Sequence, residues 1–173
     1  MGTEALAPSA AAALLRSAAA MIHAELGALP PAALEFHPAA GEWCAKEVLG
    51  HLIECERRGF SGRIAVILGG DTPALEGWDQ DAVARARQDC RRDWPALYRE
   101  FLALRNASVD QVGGLTAADL GRGGTHPKVG LLRVSDLLHE WVHHDRNHIR
   151  QMLANVQAYA WPHMGNAQRF SLP

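Results

Sequence analysis

The chain has 173 residues, 48% of them hydrophobic and 21% charged, which is the balance of a folded globular protein and not of a disordered tail. That length suits one domain, spanning residues 1–173, able to bury a core without disulfides. Lys and Arg total 17 against 19 Asp and Glu, a formal charge of -2, so there is no basic field to hold a phosphate backbone and nucleic acid is not an expected partner.

At the N-terminus Glu4 stands where a secretion signal carries basic residues, and alanines replace its leucine-rich stretch. No run of about 18 apolar residues occurs, so no membrane partner is expected and the protein reads as cytoplasmic. The first helix is expected over residues 9–27, with Ser9 as N-cap and Leu14, Leu15, Ala18, Ile22 and Leu26 on its apolar side; Pro30 and Pro31 forbid continuation. A second long helix is predicted over 43–69, carrying Val48, Leu49, Leu52, Ile53, Phe60, Ile64 and Ile67. The third spans 79–106 with a kink or break at Pro95, and its Arg85, Arg92 and Arg99 series with Asp89 and Asp93 reads as a salt-bridged exposed face. Residues 107–132, rich in glycine, read as a long connection with one short helix around 116–120. The fourth helix runs from about Ser135 to Tyr159, where Pro162 ends it. No stretch shows the sustained alternation of a half-buried strand, so the class is all-α, and four helices with one apolar stripe each bury those stripes most simply as a four-helix bundle.

Cys44, Cys55 and Cys90 are odd in number and lack a CxxC spacing, so reduced thiols are expected and Cys55 reads as a small buried thiol. Nine histidines are the unusual feature of the composition. In the fourth helix, LLHEWVHHDRNHIRQM holds two i,i+4 pairs, and helical phase distinguishes them. His139 and His143 share a face with Asp136, Glu140, Asn147 and Arg150 and should meet water; His144 and His148 align with Leu137, Trp141 and Gln151 and turn inward. Two inward imidazoles one turn apart leave four ring nitrogens to satisfy, which a divalent metal resolves by taking a lone pair from each. His51, at the edge of the second helix's apolar stripe, is the candidate third ligand.

The segment WCAKEVLGHLIECE, residues 43–56, resembles the second-helix signature of the DinB/YfiT-like metalloenzymes, a Trp-x-x-x-Glu-x-x-x-His stretch, and HHDRNHIRQM, residues 143–152, is similar to their fourth-helix His-x-x-x-His with Gln three positions on. This chain has Ile149-Arg150-Gln151 where many members have Arg-Gly-Gln. The resemblance implies an up-down-down-up four-helix bundle, a homodimer, and a zinc, nickel or other divalent ion held by His51, His144 and His148.

Three neutral imidazoles leave a coordination position open, as catalytic sites do, and both hydrolysis and thiol transfer are open to such a site. Imidazole suits zinc and nickel alike. Asp145, Glu47 and Glu54 are the carboxylates expected to orient the histidines or move a proton. The function read from these residues is that of a metal-dependent hydrolase, or of an S-transferase using a low-molecular-weight thiol, acting on a small-molecule substrate. The alternatives are a metal-binding or stress-associated module without turnover and a helical interaction protein whose histidines only pack.

Overall fold

A computed structural model describes residues 4–171. Helix α1, Pro8–Leu26, begins on a proline whose fixed φ suits a first turn, without a side-chain cap, and buries Ala11, Leu15, Ala18 and Ile22 along one stripe. A single turn, α2 (Pro31–Leu34), precedes α3, Ala45–Glu54. The predicted second helix is not one α-helix: α3 passes through a π-helical turn, Cys55–Gly59, and a bend at Phe60 into α4, Ser61–Gly69. The Phe60 amide donates to the Cys55 carbonyl five residues back, at 2.8 Å. Gly62 permits this crowding, since a Cβ there would lie 2.2 Å from the Arg57 carbonyl oxygen. One extra residue in a turn rotates the downstream part of the helix by about 100°.

The third predicted helix is two helices. Asp79 caps α5, Gln80–Arg87, which ends on Gln88 in the left-handed conformation (φ 50°). After a 3₁₀ turn, Asp89–Arg91, Asp93 caps α6, Trp94–Gly113. Pro95 lies in the first turn of α6, where its missing N–H costs nothing, so it starts a helix and does not kink one. The break also dissolves the expected arginine face: Arg92 pairs with Asp89 and Glu100, whereas Arg85 and Arg99 are exposed and make no ion pair among the described residues. Asp89 is buried, and it packs so closely on α3 that a Cβ on Gly50 would meet its Oδ2 at 1.8 Å.

The glycine-rich connection contains the expected short helix, α7 (Ala117–Gly121), and a hairpin that was not expected: β1, Gly123–His126, pairs antiparallel with β2, Gly130–Arg133. Four-residue strands are too short to show alternation, and two of β1's residues are glycines. Bonds of 2.9 Å join Thr125 to Pro73 and Leu75, laying the hairpin against the segment after α4. Helix α8, Val134–Ala160, completes the chain's long elements. No described helix is long and apolar enough to cross a membrane.

Four rods, α1, α3–α4, α6 and α8, form the bundle, and cross-helix bonds give its order. Leu6 and Leu14 bond to His139 and Arg146, so α1 and α8 run parallel. Tyr98 and Arg105 bond to the carbonyls of Ala19 and Leu15, so α6 opposes α1. Asn155 donates to the Trp43 carbonyl and Trp141 stacks on Phe60, so α3–α4 opposes α8. The order is up-down-down-up.

The core is two apolar clusters, one around Leu15, Phe60, Ile64 and Trp141, the other around Ile22, Leu49, Leu52, Phe101 and Met152. Between them in sequence on every rod lies a polar layer centred on Arg105, which is 1% exposed. Its guanidinium donates to Glu56 Oε1 at 2.8 Å, to both oxygens of Asp145 at 2.5 and 3.1 Å, and to the Leu15 carbonyl at 2.9 Å. One side chain thus touches all four rods. Removing it would leave two carboxylates buried without a partner, so Arg105→Ala should destabilise the protein by about 3–5 kcal/mol in urea unfolding. A loss below about 1 kcal/mol would show that the layer is wetter and weaker than its geometry implies.

Candidate metal centre

His51 projects from α3 and His144 from α8, 93 positions apart in sequence, and their Nε2 atoms stand 3.1 Å from each other. One turn beyond His51, Cys55 opens the π-helical turn and places its Sγ 3.4 Å from His51 Nε2 and 3.8 Å from His144 Nε2. Trp43 and Trp78 lie against the His51 ring and Phe60 meets the edge of His144, with centroids 5.2, 5.8 and 5.2 Å away.

The donor atoms that lie within 4.8 Å of one another are those of His51, Cys55 and His144; His148 stands beside this set, its ring centroid 4.6 Å from that of His51 and 4.4 Å from that of His144. Its Nδ1 bonds to Gln151 Oε1 at 2.8 Å, and because an amide oxygen only accepts, the proton sits on Nδ1 and the lone pair on Nε2. Gln151 therefore sets the tautomer a ligand needs. The other i,i+4 pair is exposed: His139 bonds to Ser135 and Leu6, and His143 to Asn147.

The three carboxylates singled out from sequence are engaged elsewhere. Asp145 is held by Arg105. Glu47 caps its own helix through the Cys44 amide, at 2.9 Å. Glu54 is buried under Arg57, Arg58 and Arg87, which approach to 3.0, 2.6 and 2.7 Å. Asp145 is turned about 100° from His144, and Glu47 and Glu54, though one turn from His51, are drawn to a helix terminus and to arginines, partners that sequence distance alone conceals.

Burial, with the charge of a protonated His148 adding to it, lowers the pKa of both His51 and His144 to about 3, so both rings are neutral at physiological pH. Burial likewise raises the Cys55 thiol well above its usual range. The Nδ1 atoms of His51 and His144 have no hydrogen-bond partner among the described residues. Two nitrogens bound to one tetrahedral ion at ~2.1 Å stand about 3.4 Å apart, and a nitrogen and a sulfur about 3.6 Å apart. The observed 3.1, 3.4 and 3.8 Å are close to those edges, and the borderline-soft donor set of imidazole and thiol fits a divalent transition metal.

His51, Cys55 and His144 line one wall of a cleft of about 800 Å³. Phe60, Trp78 and Leu132 give it apolar surface; Arg63, Lys128 and Glu140 bring charge. The hairpin supplies His126, which bonds to Arg63 at 3.2 Å.

A model of the DinB superfamily matches residues 14–152, a span that includes all the candidate ligands. The chain belongs to the DinB superfamily. Among solved structures it is similar to YfiT from Bacillus subtilis, described as a probable metal-dependent hydrolase with an unusual four-helix bundle topology. The two share 18% identity over 93% of this chain and 94% of that one, with a TM-score of 0.82. No curated protein matches the chain.

In this DinB bundle the sequence reading missed two residues of the cleft, Arg63 and Glu140, and set Cys55 aside as a buried thiol. Cys55 follows His51 by four, a ligand spacing that was visible but also that of an ordinary buried thiol. Arg63 and Glu140 reach the cleft only because the hairpin and α4 close it, which no local pattern encodes. For the metal-free protein, the sign of the pH dependence is set by histidines lowered from about 6.5 in the unfolded chain to about 3 in the fold. The stability this confers is complete above pH ~6.5 and declines as pH falls toward 3, because the unfolded chain takes up protons first. A His51→Gln, His144→Gln double variant should show a flatter stability profile in that window, measured by urea midpoints; parallel profiles would mean that the rings are hydrated and titrate normally.

Proposed function

We propose that the protein is a metal-dependent hydrolase acting on a small molecule that carries an anionic group, with zinc or nickel held by His51, His144 and His148 and with Cys55 beside them. The observation that carries this reading is that His51, Cys55 and His144 form the wall of a cleft and are not sealed in the core. A site closed on all sides serves structure, whereas one facing a cleft keeps a position for a reactant. When bound, the ion supplies Lewis acidity and acidifies whatever occupies its open position. The likeness to YfiT supports the same class.

The chain's own residues supply the remainder. Arg63 presents its guanidinium to the cleft, steadied by the Glu76 carbonyl and His126, each at 3.2 Å, and with Lys128 it binds the anionic group. Glu140 lies on α8 one turn before His144, lines the cleft and has no ion-pair partner among the described residues, which suits it to take the proton released on attack. Trp78 and Phe60 exclude water behind the substrate. A second reading, transfer to a low-molecular-weight thiol, draws on the same cleft, whose volume admits two small reactants and whose Arg63 and Lys128 suit a carboxylate-bearing thiol.

Elemental analysis of protein purified without a tag or nickel resin checks the metal. His144→Ala should lose the cleft ion while His143→Ala keeps it, and the reverse would reassign the helix phase. Against a panel of ester and amide substrates, with and without added thiol, Glu140→Gln should lower kcat by roughly 10²-fold or more without loss of metal. Full activity in Glu140→Gln would remove it from the mechanism. Chelation should abolish turnover and lower Tm while leaving the helical circular dichroism at room temperature, since the apolar clusters fold the bundle without the ion.

A further inference from the structure

At the opposite end of α3 from the π-helical turn, four side chains from three separate segments converge. His37 comes from the connection after α2, Cys44 and Glu47 from the N-terminus of α3, and Cys90 from the 3₁₀ turn between α5 and α6; their donor atoms all lie within 4.8 Å of one another. We propose that these four residues form a second, structural metal site that takes zinc.

The side-chain arrangement argues for a ligand set over a chance cluster. The His37 Nδ1–H donates to the Glu42 carbonyl at 2.8 Å, which fixes the tautomer and leaves Nε2 with a free lone pair. That Nε2 stands 3.5 Å from Cys90 Sγ, close to the edge of about 3.6 Å that a nitrogen and a sulfur span on a tetrahedral zinc. Cys44 is fully buried at the N-cap of α3, where its sulfur accepts from the Glu47 amide. Glu47 binds the Cys44 amide through Oε2 and has a second oxygen to give.

The surroundings hold the same three segments together independently of any ion. Lys46, 4% exposed, donates to Glu35 at 2.7 Å and to the Arg92 carbonyl at 2.9 Å, bracketing the cluster on both sides. The donors are therefore preorganised. Two thiols, one imidazole and one carboxylate supply four donors, enough to complete a tetrahedral zinc from the protein alone, with His37, Glu47 and Cys90 also lining a surface pocket. An ion here would pin the α5–α6 turn and the α2–α3 connection to the start of the helix that carries His51.

The three cysteines of the chain are Cys44, Cys55 and Cys90, so in Cys55→Ala protein only the Cys44–Cys90 pair can give thiolate-to-metal charge transfer. Cobalt(II) titrated into reduced, tag-free Cys55→Ala protein should produce an intense near-ultraviolet charge-transfer band saturating at one equivalent, and Cys90→Ser should abolish it. His37 is exposed and on a connection, so His37→Ala tests the site without threatening the fold and should weaken cobalt binding roughly tenfold or more with unchanged circular dichroism. In zinc-loaded wild-type protein, the Cys90→Ser loss of one equivalent should be independent of the loss in His144→Ala. Absence of the charge-transfer band in reduced, folded Cys55→Ala protein would overturn the proposal. So would a Cys44–Cys90 disulfide in protein isolated with no second zinc, seen as a mass two hydrogen atoms lighter and those two thiols unreactive after unfolding.

Discussion

The structure depends on Arg105 being satisfied. A guanidinium cannot shed its charge, and an unpaired one in the middle of a bundle would cost several kcal/mol. Arg105 escapes that cost only if Glu56, Asp145 and the Leu15 carbonyl all reach it, and that requirement fixes the rotation of α1, of the π-helical turn and of α8 about their axes. Burial lowers the Arg105 pKa while Asp145 and Glu56 raise it further, with a net rise; burial also pushes the Glu56 carboxyl up against the pull of Arg105.

The candidate metal centre inherits its geometry from this layer. Cys55 immediately precedes Glu56, and His144 immediately precedes Asp145, so the two neighbours of the Arg105 acceptors are the residues that meet at the wall of the cleft. Once Glu56 and Asp145 are aimed at Arg105, a step of about 100° on each helix carries Cys55 and His144 to a common side. The π-helical turn matters for the same reason: it resets the phase between the part of the helix that carries His51 and the part that packs Phe60 and Ile64 into the cluster with Leu15 and Trp141. π-helical turns recur at functional sites because they re-aim side chains in this way.

Periodicity made the bundle legible, together with the distinction between the exposed pair His139 and His143 and the inward His144, because each depends on one helix at a time. The two histidine motifs also carried the family. The features that escaped were those decided between elements. Pro95 marks a kink or a break, and Asp93 capping a new helix decides for the break; the Arg85, Arg92 and Arg99 series reads as a face only if the helix is unbroken. The hairpin has glycines where a strand pattern would need side chains, and its stability comes from pairing with residues 73–75. Arg105 carried no signal of its own, since a lone arginine on an amphipathic helix is ordinarily exposed. Asp145, Glu47 and Glu54 were placed near the histidines by sequence distance, yet each faces a cation or a helix terminus that only the packed fold supplies.

The central claim is that His51 and His144 face each other because an ion belongs between them. Anomalous diffraction at the zinc and nickel edges, on crystals of tag-free protein grown without chelator, tests it most directly. The account predicts a peak within ~2.1 Å of both Nε2 atoms, at the wall of the cleft. Crystals soaked in either metal that show no peak there, with the two imidazoles hydrogen-bonded directly to each other, would contradict it.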